Sequence, residues 1–173
     1  NYALIINSNA GLWGYSIGDT VKFVSLNPYK IIVSGRIKHF ISAFGEHVIG
    51  EEVEKAMKYA VENQPETEII EFTVAPQVVD PEGGLPYHEW LIEFSKEPAN
   101  RAKFISDLNS KLMELNSYYD DLISGNILQP LKITPLQKGA FISYMKNLGK
   151  LGGQNKVPRL SNDRKIADQL ARP

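Results

Sequence analysis

The spacing of apolar and polar positions changes several times along the chain, and each change marks an element. Leu4-Ile5-Ile6 is a short apolar run before the turn-rich Asn7-Ser8-Asn9-Ala10-Gly11, which predicts a strand. From Thr20 to Leu26, Val21, Phe23 and Ser25 alternate with Lys22, Val24 and Leu26. Asn27-Pro28 supplies a turn, and Tyr29 to Val33 is a second apolar run ending at Ser34-Gly35. Residues 18–36 therefore predict a β-hairpin. Arg36 to Glu46 carries mixed signals. Near Ile49 the period becomes helical: Val53, Ala56, Met57, Ala60 and Val61 share one helix face. Glu51, Glu52 and Glu54 occupy the first turns, where the helix dipole favours them, and Pro65 is the stop.

Alternation returns at Glu68–Ala75, with Ile70, Phe72 and Val74 on one side, and at His88–Ser95, with Trp90, Ile92 and Phe94. With Pro81-Glu82-Gly83-Gly84 between them, these runs predict a second antiparallel pair. A helix is expected over about Ala99–Ser117 on Phe104, Ile105, Leu108, Leu112 and Leu115. Leu128–Ile133 reads as a strand that Pro130 makes an edge candidate. A last helix is expected over Lys138–Leu148 with Phe141, Met145 and Leu148 inward. Leu151 to Pro173 is Gly-rich, then basic, and offers little core. This order predicts an α+β fold: a small mixed-sheet lid domain with flanking helices, preceded by a β-hairpin stub.

Composition narrows the function classes. At 173 residues the chain is one domain, or one domain plus an appendage. A formal net charge of −1 gives no electrostatic case for nucleic acid or an anionic membrane. The absence of cysteine excludes disulfides and thiolate metal sites, and fits a reducing, cytoplasmic setting. No apolar run approaches the roughly 18 to 20 residues of a membrane span. The start at Asn1-Tyr2-Ala3 has neither an initiator Met nor a signal-peptide pattern. It reads as a strand entered mid-domain, so the chain is expected to be a piece of a longer protein.

Three places could carry chemistry. In Tyr15-Ser16-Ile17-Gly18-Asp19, an aromatic, a glycine and a carboxylate stand at a strand entry. The carboxylate can accept both hydroxyl hydrogens of a ribose diol, and the glycine lets a ligand approach the backbone. A turn glycine beside an exposed aspartate is the plainer alternative. Gly35-Arg36 closes the hairpin, where a guanidinium can reach the phosphate or ribose of the same nucleotide. Lys156, in Asn155-Lys156-Val157-Pro158-Arg159, follows the Gly149-Lys150-Leu151-Gly152-Gly153 stretch. A lysine there can bring positive charge to a reacting phosphoanhydride; taken alone it is equally a solvated tail lysine. His39, His47 and His88 have no metal-ligand spacing, and no metal site is expected. Trp90 and the phenylalanines sit at core spacing.

Taken in order, the Gly-Asp step, hairpin, Gly-Arg step, Gly45-Glu46-His47-Val48 turn and near-terminal lysine resemble the acyl-adenylate-forming superfamily of acyl-CoA synthetases, luciferases and peptide-synthetase adenylation domains. A closer resemblance is to the auxin-responsive acyl-acid amido synthetases, the Gretchen Hagen family. It is carried by Leu12-Trp13-Gly14-Tyr15-Ser16-Ile17-Gly18-Asp19-Thr20-Val21-Lys22, by Leu115-Asn116-Ser117-Tyr118-Tyr119, and by Asn155-Lys156-Val157-Pro158-Arg159. That family has Tyr-Arg where this chain has Tyr15-Ser16. Gly35-Arg36-Ile37-Lys38 is nearer the general superfamily pattern, which implies a microbial relative and weakens any transfer of plant-hormone substrates.

The resemblance implies that residues 1–37 end a large adenylating domain and residues 38–173 form a mobile C-terminal lid, hinged near Lys38. It implies nucleotide contacts by Tyr15, Gly18, Asp19 and Arg36, and a catalytic role for Lys156. ATP and a carboxylic acid would give an acyl-adenylate, and an amine, expected to be an amino acid, would then take the acyl group. Mg2+ would accompany ATP, both bound mainly by the rest of the same chain. No phosphate-binding loop of the form G-x-x-x-x-G-K-[ST] occurs here, so the piece alone is expected to be inactive. Two other readings stay open. One is a thioester-forming ligase of the acyl-CoA synthetase type. The other is a free-standing α+β binding module whose basic residues Arg159, Arg164, Lys165 and Arg172 dock a partner.

Overall fold

The computed structural model describes residues 2–36, 40–150 and 156–171. Its first unit is a three-stranded antiparallel sheet of β1 (Tyr2–Ile6), β2 (Tyr15–Leu26) and β3 (Tyr29–Arg36), with β2 in the middle. The expected hairpin is present, and β2 begins earlier than predicted, at Tyr15. Consecutive residues of a strand point to opposite faces. Ile31, Ile32 and Val33 are all exposed, so neither face of β3 is covered there.

Lys38 and its neighbours Ile37 and His39 lie outside the described residues. After them, β4 (Phe40–Ile41) and β5 (Val48–Ile49) form a small antiparallel pair around Gly45. Gly45 has φ +94, a conformation that glycine adopts without strain. A pair this short carries no alternation, which explains the mixed signals before Glu46.

The second unit is built on a mixed sheet of β6 (Glu68–Gln77), β7 (Tyr87–Lys96) and β8 (Lys132–Leu136). The central strand β7 runs antiparallel to β6 and parallel to β8. One face is covered by α1 (Gly50–Glu62), α2 (Arg101–Leu115) and α3 (Ser117–Ser124). Val53, Ala56, Met57, Phe104, Leu108, Leu112 and Tyr119 meet Phe72, Val74, Trp90, Ile92 and Phe94 there. The other face carries α4 (Ala140–Asn147) and α5 (Lys165–Leu170), which bury Phe141, Ala167 and Leu170 against Ala75 and Leu91. Each large apolar side chain buried this way contributes roughly 1.5–3 kcal/mol.

Local chemistry sets the helix ends. The Glu52 carboxylate accepts from the Ile49 N–H at 2.9 Å, holding the first turn of α1. Asn100 caps α2 by accepting from the Lys103 N–H. Asn116 ends α2 and caps α3, accepting from the Tyr119 N–H at 2.8 Å. The helix predicted through Ser117 therefore stops before Asn116 and restarts.

Four other expectations are corrected. A bulge at Ile70 puts Ile69, not Ile70, against the core; Ile70 is exposed. The strand predicted at Leu128–Ile133 forms at Lys132–Leu136, because Leu128 and Leu131 are drawn into the core ahead of it. Leu148, predicted inward, is exposed just past the end of α4. The C-terminal stretch was expected to add little core, yet Val157, Leu160, Ala167 and Leu170 are buried.

Candidate functional site

The Gly18-Asp19 step lies where β2 bulges away from β1. Ala3 pairs with Thr20 but Ile5 pairs with Ser16, so β2 spends two more residues than β1 over this span. Gly18 has φ +83. An added Cβ would meet nothing within 4 Å, so backbone conformation rather than space requires glycine here. On its other side, Asp19 pairs with Arg36 and Thr20 with Gly35, while Val21 pairs with Val33. Ser34 is therefore the extra residue of a second bulge, and its Oγ lies 3.1 Å from Thr20 Oγ1. Bulges re-aim side chains at the rims of sheets. Both candidate motifs thus sit at irregular points of one hairpin end, with Asp19 half-buried and Tyr15 exposed. For Arg36 only the backbone is described.

Lys156 belongs to the other unit. It is exposed, and the residues after it are fastened along the free edge of β6. Thr73 donates its hydroxyl to the Pro158 carbonyl at 2.7 Å. The Val74 N–H donates to the Arg159 carbonyl at 2.9 Å, and the Ser161 N–H to the Val74 carbonyl at 3.0 Å. Leu160 forms a parallel bridge with Val74. This adds a strand-like rung to an edge that would otherwise be open. The Arg159 guanidinium closes the arrangement. It pairs with Glu54 of α1 and Glu71 of β6, and donates to the Phe72 carbonyl at 3.2 Å. It also lies 4.5 Å over the Phe72 ring.

Between the two units, Lys22 of β2 pairs with Glu51 of α1 at 3.2 Å. The Glu51 carboxyl is held below its ordinary range by hydrogen bonds from Lys55 and then Lys22. Farther in, Glu46 and His88 form a buried pair, with Glu46 Oε1 2.8 Å from His88 Nε2. Glu46 Oε2 accepts from the Phe44 N–H at 2.9 Å. The rings of Phe44 and Tyr119 lie 6.2 and 5.0 Å from the imidazole. Burial pushes the Glu46 carboxyl up, but the His88 hydrogen bond and charge, with backbone N–H groups, outweigh it and hold the carboxyl low.

The predicted residues thus fall into two groups. The hairpin unites Gly18 and Asp19 with the Arg36 backbone, and the β6 edge carries Lys156. Sequence reasoning offered Arg159 only as a docking residue and missed its partners Glu54 and Glu71, and it missed the Glu46–His88 pair. One member of each was signalled. Arg159 stands three residues after the candidate lysine. His88 falls on the same strand phase as Trp90 and Ile92, so it demanded a buried partner. The basic tail invoked for partner docking is engaged internally: Arg159 as described, and Arg164 with Glu89 at 2.7 Å and Asp168 at 3.0 Å. Arg172 lies outside the described residues.

Residues 51–165 match the model of the GH3 family C-terminal domain. Over 98% of its length the chain superposes on a solved GH3.15 acyl acid amido synthetase, at 21% identity and a TM-score of 0.76. A second solved structure, AtGH3.15 acyl acid amido synthetase in complex with 2,4-DB, gives 20% identity and a TM-score of 0.72 over 98% of the chain. At these identities the likeness is one of fold. The chain spans 32% of the length of either structure. No curated protein matches it.

Proposed function

The chain belongs to the GH3 family, as its C-terminal domain, and from that premise we propose that it is the C-terminal part of an ATP-dependent acyl-adenylate-forming ligase. The observation that carries this reading is the pairing of Asp19 with Arg36 across the hairpin, next to the glycines that precede each of them. Two motifs distant in sequence become neighbours at one end of one sheet, as binding a single nucleotide requires.

In this reading the Asp19 carboxylate accepts from the ribose diol, and Gly18, lacking a side chain, leaves room beside it. Tyr15 offers an exposed ring to the same ligand, and Arg36 reaches the phosphate or ribose. The substrate carboxylate attacks the α-phosphorus of ATP, and pyrophosphate leaves. An amine, here assigned to an amino acid, then attacks the acyl carbon; it gives up a proton as AMP departs and the amide forms. Lys156 brings its ammonium to the phosphoanhydride in the first step, where negative charge develops. Among the described residues no group of three or more His, Asp or Glu side chains is placed to hold a metal ion. The resemblance assigns Mg2+ mainly to the rest of the chain, and no step here runs through it.

Residues 1–37 are assigned to the end of the large domain and 38–173 to a lid that turns about Lys38. The uncovered faces of β3 support this, since a sheet bearing exposed Ile31, Ile32 and Val33 suits one torn from a larger sheet. The chain by itself is expected to be inactive. No helix among the described residues is long and apolar enough to cross a membrane.

The test is Lys156→Ala in the intact protein. Pyrophosphate release should fall at least about tenfold, while amide transfer from preformed acyl-adenylate persists. Equal loss of both half-reactions overturns the role of Lys156. A screen of acids against amines and CoA thiols, read by pyrophosphate release and product mass, separates the amide-forming reading from the thioester-forming one.

A further inference from the structure

We propose that Arg159 is a positioning residue for Lys156: it clamps the segment that bears the lysine to both layers of the lid, and so fixes where the ammonium is presented. The inference rests on the assignment of Lys156 made above.

The backbone of the residues C-terminal to Lys156 is tied to the sheet layer, along the edge of β6. Val157 and Leu160 are buried, but Pro158 between them has no N–H to donate. The backbone ties to β6 run through Val74 and Thr73, two or more residues from Lys156 in the bonded order. Arg159 adds a tie to the helix layer. Its guanidinium reaches Glu54 on α1 and Glu71 on β6 at once, donates to the Phe72 carbonyl, and stacks on the Phe72 ring. A planar fork with several donors can satisfy a helix carboxylate, a strand carboxylate and a carbonyl from one position; an ammonium cannot. The arginine therefore ties the segment to the helix layer and the sheet layer together. When α1 and β6 turn as one body, Lys156 must turn with them.

Among the described residues, the ion pairs of Glu54 and Glu71 go to Arg159. The guanidinium side chain is about one-third exposed, so its worth as an ion pair for stability is modest. Its consequence for reaction is larger, because a misplacement of about 1 Å at a reacting group can cost on the order of 100-fold in rate.

The test uses the intact protein, with Lys156→Ala as reference beside Arg159→Ala, Arg159→Lys and the double variant Glu54→Gln/Glu71→Gln. Arg159→Ala should lower pyrophosphate release at saturating ATP by roughly 10- to 100-fold. It should leave KM for ATP, and amide transfer from preformed acyl-adenylate, within about twofold of the parent. Arg159→Lys should recover only part of the loss, and the double glutamine variant should resemble Arg159→Ala. Amide hydrogen exchange should quicken at Val74 and Ser161 and stay unchanged in β7. Equal loss of both half-reactions, or full recovery by Arg159→Lys, overturns the proposal. So does a full loss in Lys156→Ala with none in Arg159→Ala, which refutes the clamp and leaves the role of Lys156 standing. If Lys156→Ala itself has no effect, the reading of Lys156 fails and this inference fails with it.

Discussion

Glu46 and His88 show what a single pair can decide. Both are fully buried, and their contact joins the Gly45 turn to the central strand β7. Removing His88 leaves the buried Glu46 carboxylate without its hydrogen-bonded partner, at a cost of about 3–5 kcal/mol. His88→Leu should therefore lose about that much at pH 7, read from the urea midpoint of the purified chain. The sign with pH follows from Glu46. Its folded carboxyl is held below the ordinary carboxyl value of about 4.5, so the pair's contribution is fully present above that value and fades as pH falls through the folded one. The penalty of His88→Leu should shrink below about pH 4.5 by that linkage. A penalty equal at pH 7 and at pH 4 would show that the pair acts by packing alone. At this scale the sequence exposed His88 as inward-facing through its phase with Trp90. It gave no hint of Glu46, because a turn glutamate between Gly45 and His47 looks solvent-facing until a distant strand is laid beneath it.

At the scale of elements, α4 depends on a residue far away in sequence. Glu93 of β7 accepts from the Gly139 N–H at 2.6 Å and the Phe141 N–H at 3.1 Å, capping α4 from inside the molecule. Gly139 has φ +86, and the helix has no cap from its own side chains. Glu93→Ala should leave buried N–H groups unpaired and cost about 1–3 kcal/mol. Hydrogen exchange should quicken at Gly139 and Phe141 while α1 stays protected; unchanged exchange there would mean that the turn, not Glu93, starts the helix. The same remoteness explains which elements were legible. The 18–36 hairpin, α1 and the β6–β7 pair announce themselves because their apolar period and their stop signals are local. Asn116, by contrast, can either continue a helix turn or cap the next one, and only the packing of Tyr119 decides. The C-terminal stretch looked coreless because Val157, Leu160, Ala167 and Leu170 are few and set among polar residues, with Pro158 interrupting them. They face the sheet from separate short segments.

For the whole molecule, the proposed rotation turns on contacts between the hairpin unit and the lid, and Lys22–Glu51 is an ion pair that joins them directly. That Gly18-Asp19 and Gly35-Arg36 meet at one hairpin end was legible in the sequence, since both keep their order and strand setting. How the two units touch was not, because a cross-unit pair leaves no period to read. The Lys22 and Glu51 side chains are 39% and 30% exposed. A pair this accessible is worth about 0.2–1 kcal/mol and is screened by salt. Such a tie biases an equilibrium between two lid orientations without locking either; 1 kcal/mol corresponds to about a fivefold shift in population. Lys22→Gln removes the cross-unit tie and leaves the Lys55–Glu51 pair within α1, 2.7 Å apart, in place. In the intact protein, the ratio of pyrophosphate release to amide transfer should change by up to about fivefold in Lys22→Gln. That ratio should drift with added salt in the parent and stay level in the variant, because the parent alone has a screenable charge pair between the units. If parent and variant respond to salt alike, the pair stays closed in both steps, and the turning surfaces lie elsewhere.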